Sequence, residues 1–314
     1  MSDDSEMNMT NITDCLIVGA GPAGLTAAIY LARFNLSIRV VDDGKSRCAT
    51  IPRTRNHAGY PGGIAGIELL DRMRDQAAEF GVHVVASRID RIARDDAGHF
   101  AVALKGDTLS ARTVLLATGV VNNRPRMDDE DHDRAVERGL LRYCPICDGY
   151  EVIDRQIGVI GTRTHGFNEA VFLRMYSKRV TLIAPDSIHD LSPEQRRTLA
   201  DLGIDAVDGP CDDLGIDGDA IVAPTADGLI RFDTIYPALG SVIRSDLAVA
   251  LGAKATDEGC LVVDDHQRTS IAGLYAAGDV SKGLDQISHA MGEAGVAATT
   301  IRNDLAKTIS LVRQ

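Results

Sequence analysis

Hydrophobic residues along this chain come in short runs that end at glycine or aspartate, and stretches with helical spacing follow them. The first run, DCLIVGAG (14–21), leads into PAGLTAAIYLARFN (22–35) and then into SIRVVDD (37–43). That order predicts strand, helix, strand. Roughly 140 residues later it returns as RQIGVIG (155–161), HGFNEAVFLRMYS (165–177) and KRVTLIAPD (178–186). The spacing predicts two β-α-β units rather than a short-period solenoid.

Between the units, VLLATG (114–119) predicts a strand ending in a small-residue turn, and the polar stretch NNRPRMDDEDHDR (122–134) predicts a linker. LIRFDTIYPALGS (229–241) closes the second region near Gly240, GLYAAGDV (273–280) follows, and an amphipathic helix is expected from about Gln286 to Ala306. The expected fold class is α/β, with two Rossmann-like three-layer domains. One is assembled from residues 1–123 and 243–314, and the other, 124–242, is inserted into it.

Composition narrows the function. The 314 residues are 45% hydrophobic and 25% charged, as in a folded soluble protein. A net charge of -12 repels phosphate backbones and anionic bilayers, so neither nucleic acid nor membrane is an expected partner. Six cysteines, only two of them close together, do not make a secreted disulfide framework, and a reducing cytoplasm is expected. The opening MSDDSEMNMTNIT lacks the basic start and apolar core of a signal peptide and is expected to be a frayed tail. Cys15 to Ala32 carries no charge over 18 residues, but three glycines and a proline at a strand-to-helix turn argue against a membrane span.

Gly19, Gly21 and Gly24 form GxGxxG at the first strand-to-helix junction, and Asp42 ends the next strand 23 residues after Gly19. The first glycine makes the tight turn, the second admits a pyrophosphate, and the third lets helix and strand approach. Asp42 can accept from a ribose diol. Glycine turns in α/β proteins often bind nothing, yet here strand, helix and acid stand in register, which favours a dinucleotide. Spacing alone does not separate FAD from NAD.

The stretch RYCPICDGYE (142–151) holds the close pair, Cys144 and Cys147. Such a pair is half a zinc site, a structural crosslink or a two-electron shuttle. Zinc needs four ligands; Cys211 and Cys260 are isolated and no histidine has ligand spacing with them, so no metal is expected. Pro145 suits a first helical position, and a helix starting there puts both sulfurs near its positive end, which favours thiolate and a redox role. Asp148 reads equally as an acid complementing the helix dipole. Cys15, Cys48, Cys211 and Cys260 read as packing or surface residues.

GAGPAG, ATG, CxxCDG and GLYAAGDV, in this order over nearly the whole chain, resemble the low-molecular-weight thioredoxin reductase family of flavoproteins. The resemblance implies an FAD domain with an inserted NAD(P)-type domain, and a homodimer. It implies FAD contacts at Gly19, Gly21, Ala23, Gly24, Asp42, Thr118, Gly119, Gly278, Asp279 and Gln286. It also implies that Cys147 meets the flavin, that Cys144 is the outer thiol exchanging with a partner disulfide, and that Asp148 moves protons for the thiolate. The implied partner is a thioredoxin-like protein or a small-molecule disulfide or dithiol.

The resemblance breaks in the second unit. Its loop reads GTRTHG: Gly161 and Gly166 stand, but Arg163 replaces the central glycine. The following strand ends LIAPD at Asp186, without the family's basic cluster, and the Arg-Gln pair after the late GD motif is changed to Asp285 and Gln286. NADPH is therefore not an expected ligand of this degenerate site. The pattern resembles pyridine-nucleotide-independent branches, with ferredoxin or another electron donor, or with oxygen as acceptor in a dithiol oxidase. Arg163 and His165 read either as ordinary loop residues or as contacts for a second flavin nucleotide. An ordinary NAD(P)H-dependent thioredoxin reductase and a flavin-binding redox sensor without turnover are the competing readings; an intact Cys144, Cys147 and Asp148 favours an enzyme.

Overall fold

The computed structural model describes residues 12–312; residues 1–11, which carry most of the expected N-terminal tail, and residues 313–314 lie outside the described residues. In chain order the elements begin with β1 (Thr13–Val18), α1 (Pro22–Arg33), β2 (Ile38–Asp42), α2 (Gly66–Ala78), β3 (Val84–Ala86), β4 (Ile89–Arg94), β5 (Phe100–Leu104), β6 (Asp107–Leu116) and β7 (Val120–Asn122). There follow α3 (Asp129–Glu137), α4 (Pro145–Asp148), β8 (Gln156–Ile160), α5 (Arg163–Leu173), β9 (Arg179–Ile183), α6 (Pro193–Asp201) and β10 (Asp205–Val207). The last are β11 (Gly215–Asp217), β12 (Ala220–Thr225), β13 (Gly228–Phe232), β14 (Thr234–Pro237), β15 (Ser241–Ile243), α7 (Asp246–Val249), β16 (Leu274–Ala276) and α8 (Ile287–Leu305).

The chain packs as two α/β units. The first comprises the described residues up to Ile51, Ile64–Val121 and those from Ile243 onward; the second comprises Pro52–Gly63 and Asn122–Val242. In the first unit the sheet runs β3-β2-β1-β6-β5-β4, with β16 also on β6. The strands from β3 to β6, and β16, are parallel, whereas β4 and β5 add antiparallel. Alternation along β1 divides its side chains between two faces. Leu16 and Val18 join Ile92, Phe100 and Val102 in one core, and Cys15 and Ile17 are fully buried on the other face.

The second unit has a parallel sheet, β10-β9-β8-β14, and a separate antiparallel β11-β12-β13. Ile157, Val159, Leu182 and Tyr236 pack with Ala170 and Leu173 of α5 and Leu199 of α6. The opposite face puts Ile160, Ile183 and Ile235 against Ala135 of α3 and against Ile221, Ala223 and Phe232. This is a helix, sheet and mixed-cover sandwich of three layers.

Two elements differ from the sequence expectation. α5 starts at Arg163 and stops at Leu173, where the bonds tighten to three-residue turns, Met175 N–H to the Phe172 carbonyl and Tyr176 N–H to the Leu173 carbonyl. The helix after Cys144 is a single turn of four residues, too short to sum a substantial dipole at its start. Among the described residues no helix is long and apolar enough to cross a membrane.

Phe232 is 1% exposed within the second core. Phe232→Ala is expected to cost about 3–5 kcal/mol, read as a lowered urea midpoint.

Candidate active site

The first glycine loop is shaped by two close approaches. A Cβ added at Gly19 would lie 2.3 Å from the Ala117 carbonyl oxygen, and one at Gly24 would lie 1.9 Å from the Gly19 carbonyl oxygen. Gly21 is different. A Cβ there would meet only the Ser46 hydroxyl, at 3.2 Å, so this glycine borders an open cradle at the start of α1. Asp42 pins the loop: its Oδ1 accepts from the Ala20 N–H at 2.9 Å and its Oδ2 from the Gly44 N–H at 3.0 Å.

Three later segments of the same unit come to this loop or border it. Ala23 is buried against Gly278, where an added Cβ would lie 3.1 Å from the Ala23 Cβ. The Gly278 N–H donates to Glu293 Oε2 at 2.7 Å, and the Ser281 hydroxyl bonds the same oxygen at 3.3 Å, so α8 holds the GD turn. Asp279 is 19% exposed and lies 3.1 Å from Arg47 Nη1, which also reaches Asp285 at 2.8 Å. Burial pushes the Asp279 carboxyl above its usual range and repulsion from Asp285 adds to this, while Arg47 opposes both. Thr118 Oγ1 donates to the Arg244 carbonyl at 2.7 Å, and the Arg244 N–H returns a bond to the Gly119 carbonyl at 3.0 Å. Gln286 sits at the N-cap of α8.

In the second unit Cys144 and Cys147 are joined as a disulfide, with a Cα–Cα distance of 5.2 Å. Cys144 is the N-cap of α4, and its Sγ accepts from the Cys147 N–H at 3.2 Å. That donor favours negative charge on the Cys144 sulfur. Asp148 turns inward. Its Oδ2 accepts from Arg142 Nη1 at 2.8 Å and its Oδ1 from the Tyr236 hydroxyl at 2.8 Å. Burial raises the Asp148 carboxyl above its usual range, with Arg142 and then Tyr236 working against it. Both partners are themselves held: Arg142 Nε donates to the Gly139 carbonyl at 3.1 Å, and Tyr236, on β14, is 0% exposed. Gly149 follows because a Cβ there would lie 2.5 Å from the Tyr176 ring. Segment 52–63 also belongs to this unit, with Arg55 Nε 3.4 Å from Glu151 Oε1.

The second glycine loop keeps its packing but carries an arginine at its middle position. Gly166 approaches the Gly161 carbonyl carbon so closely that an added Cβ would lie 2.6 Å away. Arg163 stands in the left-handed region at φ 54°, a conformation that favours glycine. Its Nε bonds Asp190 Oδ2 at 2.9 Å, and Thr162 Oγ1 accepts from the Asp190 N–H at 3.0 Å. The strand end has no basic cluster of its own, but Arg126 Nη2, brought from 60 residues earlier, lies 3.0 Å from Asp186 Oδ1. Of the remaining cysteines, Cys15, Cys48 and Cys211 are buried and Cys260 is half-buried. Among the described residues no three His, Cys, Asp or Glu side chains are grouped to hold a metal.

An open cradle at the first loop and a disulfide beside a buried acid together define a flavin-dependent disulfide oxidoreductase. The family model for pyridine nucleotide-disulphide oxidoreductases matches residues 13–294. The thioredoxin reductase of Listeria monocytogenes is 30% identical over 299 residues, spanning 91% of this chain and 92% of that protein. That of Bacillus subtilis is 28% identical, with 95% and 96% covered. Among solved structures, HlmI superposes with a TM-score of 0.86 at 28% identity, covering 94% of this chain and 93% of that one. The thioredoxin reductase of Streptococcus pyogenes has a TM-score of 0.86 at 26% identity, with 95% and 99% covered. The chain therefore belongs to the pyridine nucleotide-disulphide oxidoreductases and, within them, to the thioredoxin reductase family. It is an FAD-dependent enzyme of disulfide exchange.

The two glycines of the first loop should fail differently. Gly21→Val is expected to fold, by circular dichroism, but to retain FAD at least about tenfold more weakly, a change of roughly 1.4 kcal/mol. Gly24→Val is expected to lose the fold itself, since its side chain has only backbone to enter. Full flavin content in Gly21→Val, read from the visible absorbance per chain, would contradict the cradle.

Proposed function

We propose that this enzyme passes two electrons between FAD and a partner disulfide through Cys144 and Cys147, and that its electron donor is not NADPH. The observation that carries the donor reading is the altered second loop, where Arg163 takes the place of the middle glycine and pairs with Asp190. Arg163 and Asp190 meet across the first turn of α5, where a bound pyrophosphate would need free N–H groups. Asp186 and Asp190 each pair with an arginine there, Arg126 and Arg163, so the loop keeps no unpaired cation for a 2'-phosphate among these residues. The partner is a thioredoxin-like protein or a small disulfide, in keeping with the relatives' names, and the donor is a ferredoxin or another low-potential carrier. A second flavin nucleotide at this loop meets the same obstruction. A homodimer in the cytoplasm completes the reading.

FAD would be held by Gly19, Gly21, Ala23 and Gly24 at its pyrophosphate, by Asp42 at its ribose, and by Thr118, Gly119, Gly278, Asp279 and Gln286 along its length. When bound, it supplies a reservoir for two electrons. The protein's own residues carry the exchange. In the reduced pair, the Cys144 sulfur is favoured as thiolate by the Cys147 N–H and attacks the partner disulfide. A bond forms from Cys144 Sγ to one partner sulfur, and the other leaves as a thiolate. Cys147 then attacks Cys144 Sγ, the disulfide re-forms, and the partner departs as a dithiol. Asp148 takes the Cys147 proton as that sulfur attacks, and returns it when the reaction runs backward. Arg142 and Tyr236 fix the carboxyl for this transfer.

Anaerobic stopped-flow with excess NADPH is expected to leave the flavin absorbance in place, whereas dithionite bleaches it. Bleaching by NADPH within the ordinary turnover range of roughly 1 to 1,000 per second would return the chain to the NADPH-dependent reductases. Cys144→Ser is expected to abolish exchange with a protein disulfide, and oxygen uptake driven by dithiols alone would redirect the reading to an oxidase.

A further inference from the structure

One acid near the cysteines has no part in the exchange just described. Glu169 lies on α5 in the stripe that includes the buried Gly166, Ala170 and Leu173. Its side chain is half-buried, and its Oε1 is out of contact with solvent without a hydrogen-bond partner. An unpaired carboxylate oxygen in such a position is costly unless the group is neutral. α4 packs on α5, and the acid it presents is Asp148.

We propose that Glu169 is a second acid of the cysteine site, sharing a proton with Asp148 and so setting the pH at which Asp148 can protonate Cys147. The inference rests on the role given to Asp148 above. Two carboxyls in one poorly hydrated place do not both ionise readily; the pair holds its last proton to higher pH than either would alone. Burial, reinforced by repulsion from Asp148, pushes the Glu169 carboxyl up to about 7. Burial above all, then Asp148 and more weakly Glu169, raise the Tyr236 hydroxyl, which stays a donor to Asp148.

The other elements on α5 bring no competing charge to this place. β8 and β9 present apolar residues, and Arg179 at the start of β9 is spent on the Asp154 carbonyl. On α6, Arg196 bonds the His189 carbonyl, while Glu194, Arg197 and Asp201 are exposed. The one cation facing the pair is Arg142, already bonded to Asp148.

The test uses the oxidised holoenzyme and dithiothreitol, following opening of the Cys144–Cys147 disulfide by quenched alkylation and mass mapping of the peptide that contains it. Attack by a dithiothreitol thiolate on Cys144 expels the Cys147 sulfur, which needs the proton from Asp148. The rate per dithiothreitol thiolate should hold to about pH 7 in the wild type and fall above it. In Glu169→Gln the fall should begin about one pH unit lower, making the variant about fivefold slower at pH 7 and about tenfold slower from about pH 8 upward. Glu169→Met should shift the same way, which guards against a fault particular to a buried amide. Asp148→Asn should abolish the fall, and Glu169→Gln should then add nothing.

Wild-type profiles in both Glu169 variants, with the fall abolished in Asp148→Asn, would overturn the sharing and leave the role of Asp148 intact. A Glu169→Gln shift that persists undiminished in the Asp148→Asn background would overturn it as well. If Asp148→Asn keeps the wild-type fall, the role of Asp148 itself fails and the sharing fails with it.

Discussion

Each unit depends on one close contact, between the first and last glycines of a strand-to-helix loop. In the first unit Gly24 meets the Gly19 carbonyl, and in the second Gly166 meets Gly161. Both contacts bring a helix against the parallel sheet at a distance that no side chain permits. The middle glycine is under a different constraint. It borders the open cradle, not the sheet, and only the first unit keeps it, as Gly21. Arg163 in the second loop therefore leaves the scaffold intact while replacing the middle glycine, and its side chain turns to Asp190. Helix packing and nucleotide binding are separable demands on one motif.

The cysteine site balances charge in a similar way. A buried carboxyl tends to stay protonated, and a guanidinium tends to ionise it; Asp148 has both influences, with a tyrosine hydroxyl fixed to its other oxygen. A carboxyl governed by burial alone would give up its proton reluctantly, and one governed by arginine alone would rarely hold it. Opposed influences bring the group toward the range in which it can do either. The Cys144 sulfur, by contrast, faces a backbone donor that only stabilises negative charge.

Local features were legible in the sequence for a physical reason. The strands and helices about the two glycine loops follow from hydrophobic period and turn chemistry, and the CxxCD stretch carries its chemistry within five residues. Residues that act across long separations left no such signal. Arg47 reaches Asp279 over 232 positions, Tyr236 reaches Asp148 over 88, and Arg126 reaches Asp186 over 60. Arg126 changes the expected electrostatics of the second loop, since Asp186 is paired rather than bare. Segment 52–63 was equally hidden, because its place in the second unit depends on Arg55 finding Glu151.

Glu169 illustrates how a helix of mixed pattern can hide a functional candidate. α5 places small and apolar residues at Gly166, Ala170 and Leu173 against the sheet, and a glutamate between them reads as a residue at the edge of an amphipathic face. Such an edge glutamate ordinarily reaches solvent along its own stem. Here Oε1 does not reach it, and repulsion from Asp148 adds to the effect of burial. Apolar packing gains nothing from an acid in this place, since a methionine or leucine of similar size would fill it without an unpaired oxygen. A carboxyl that occupies such a place against that cost is better explained by the proton it holds than by the contacts it makes.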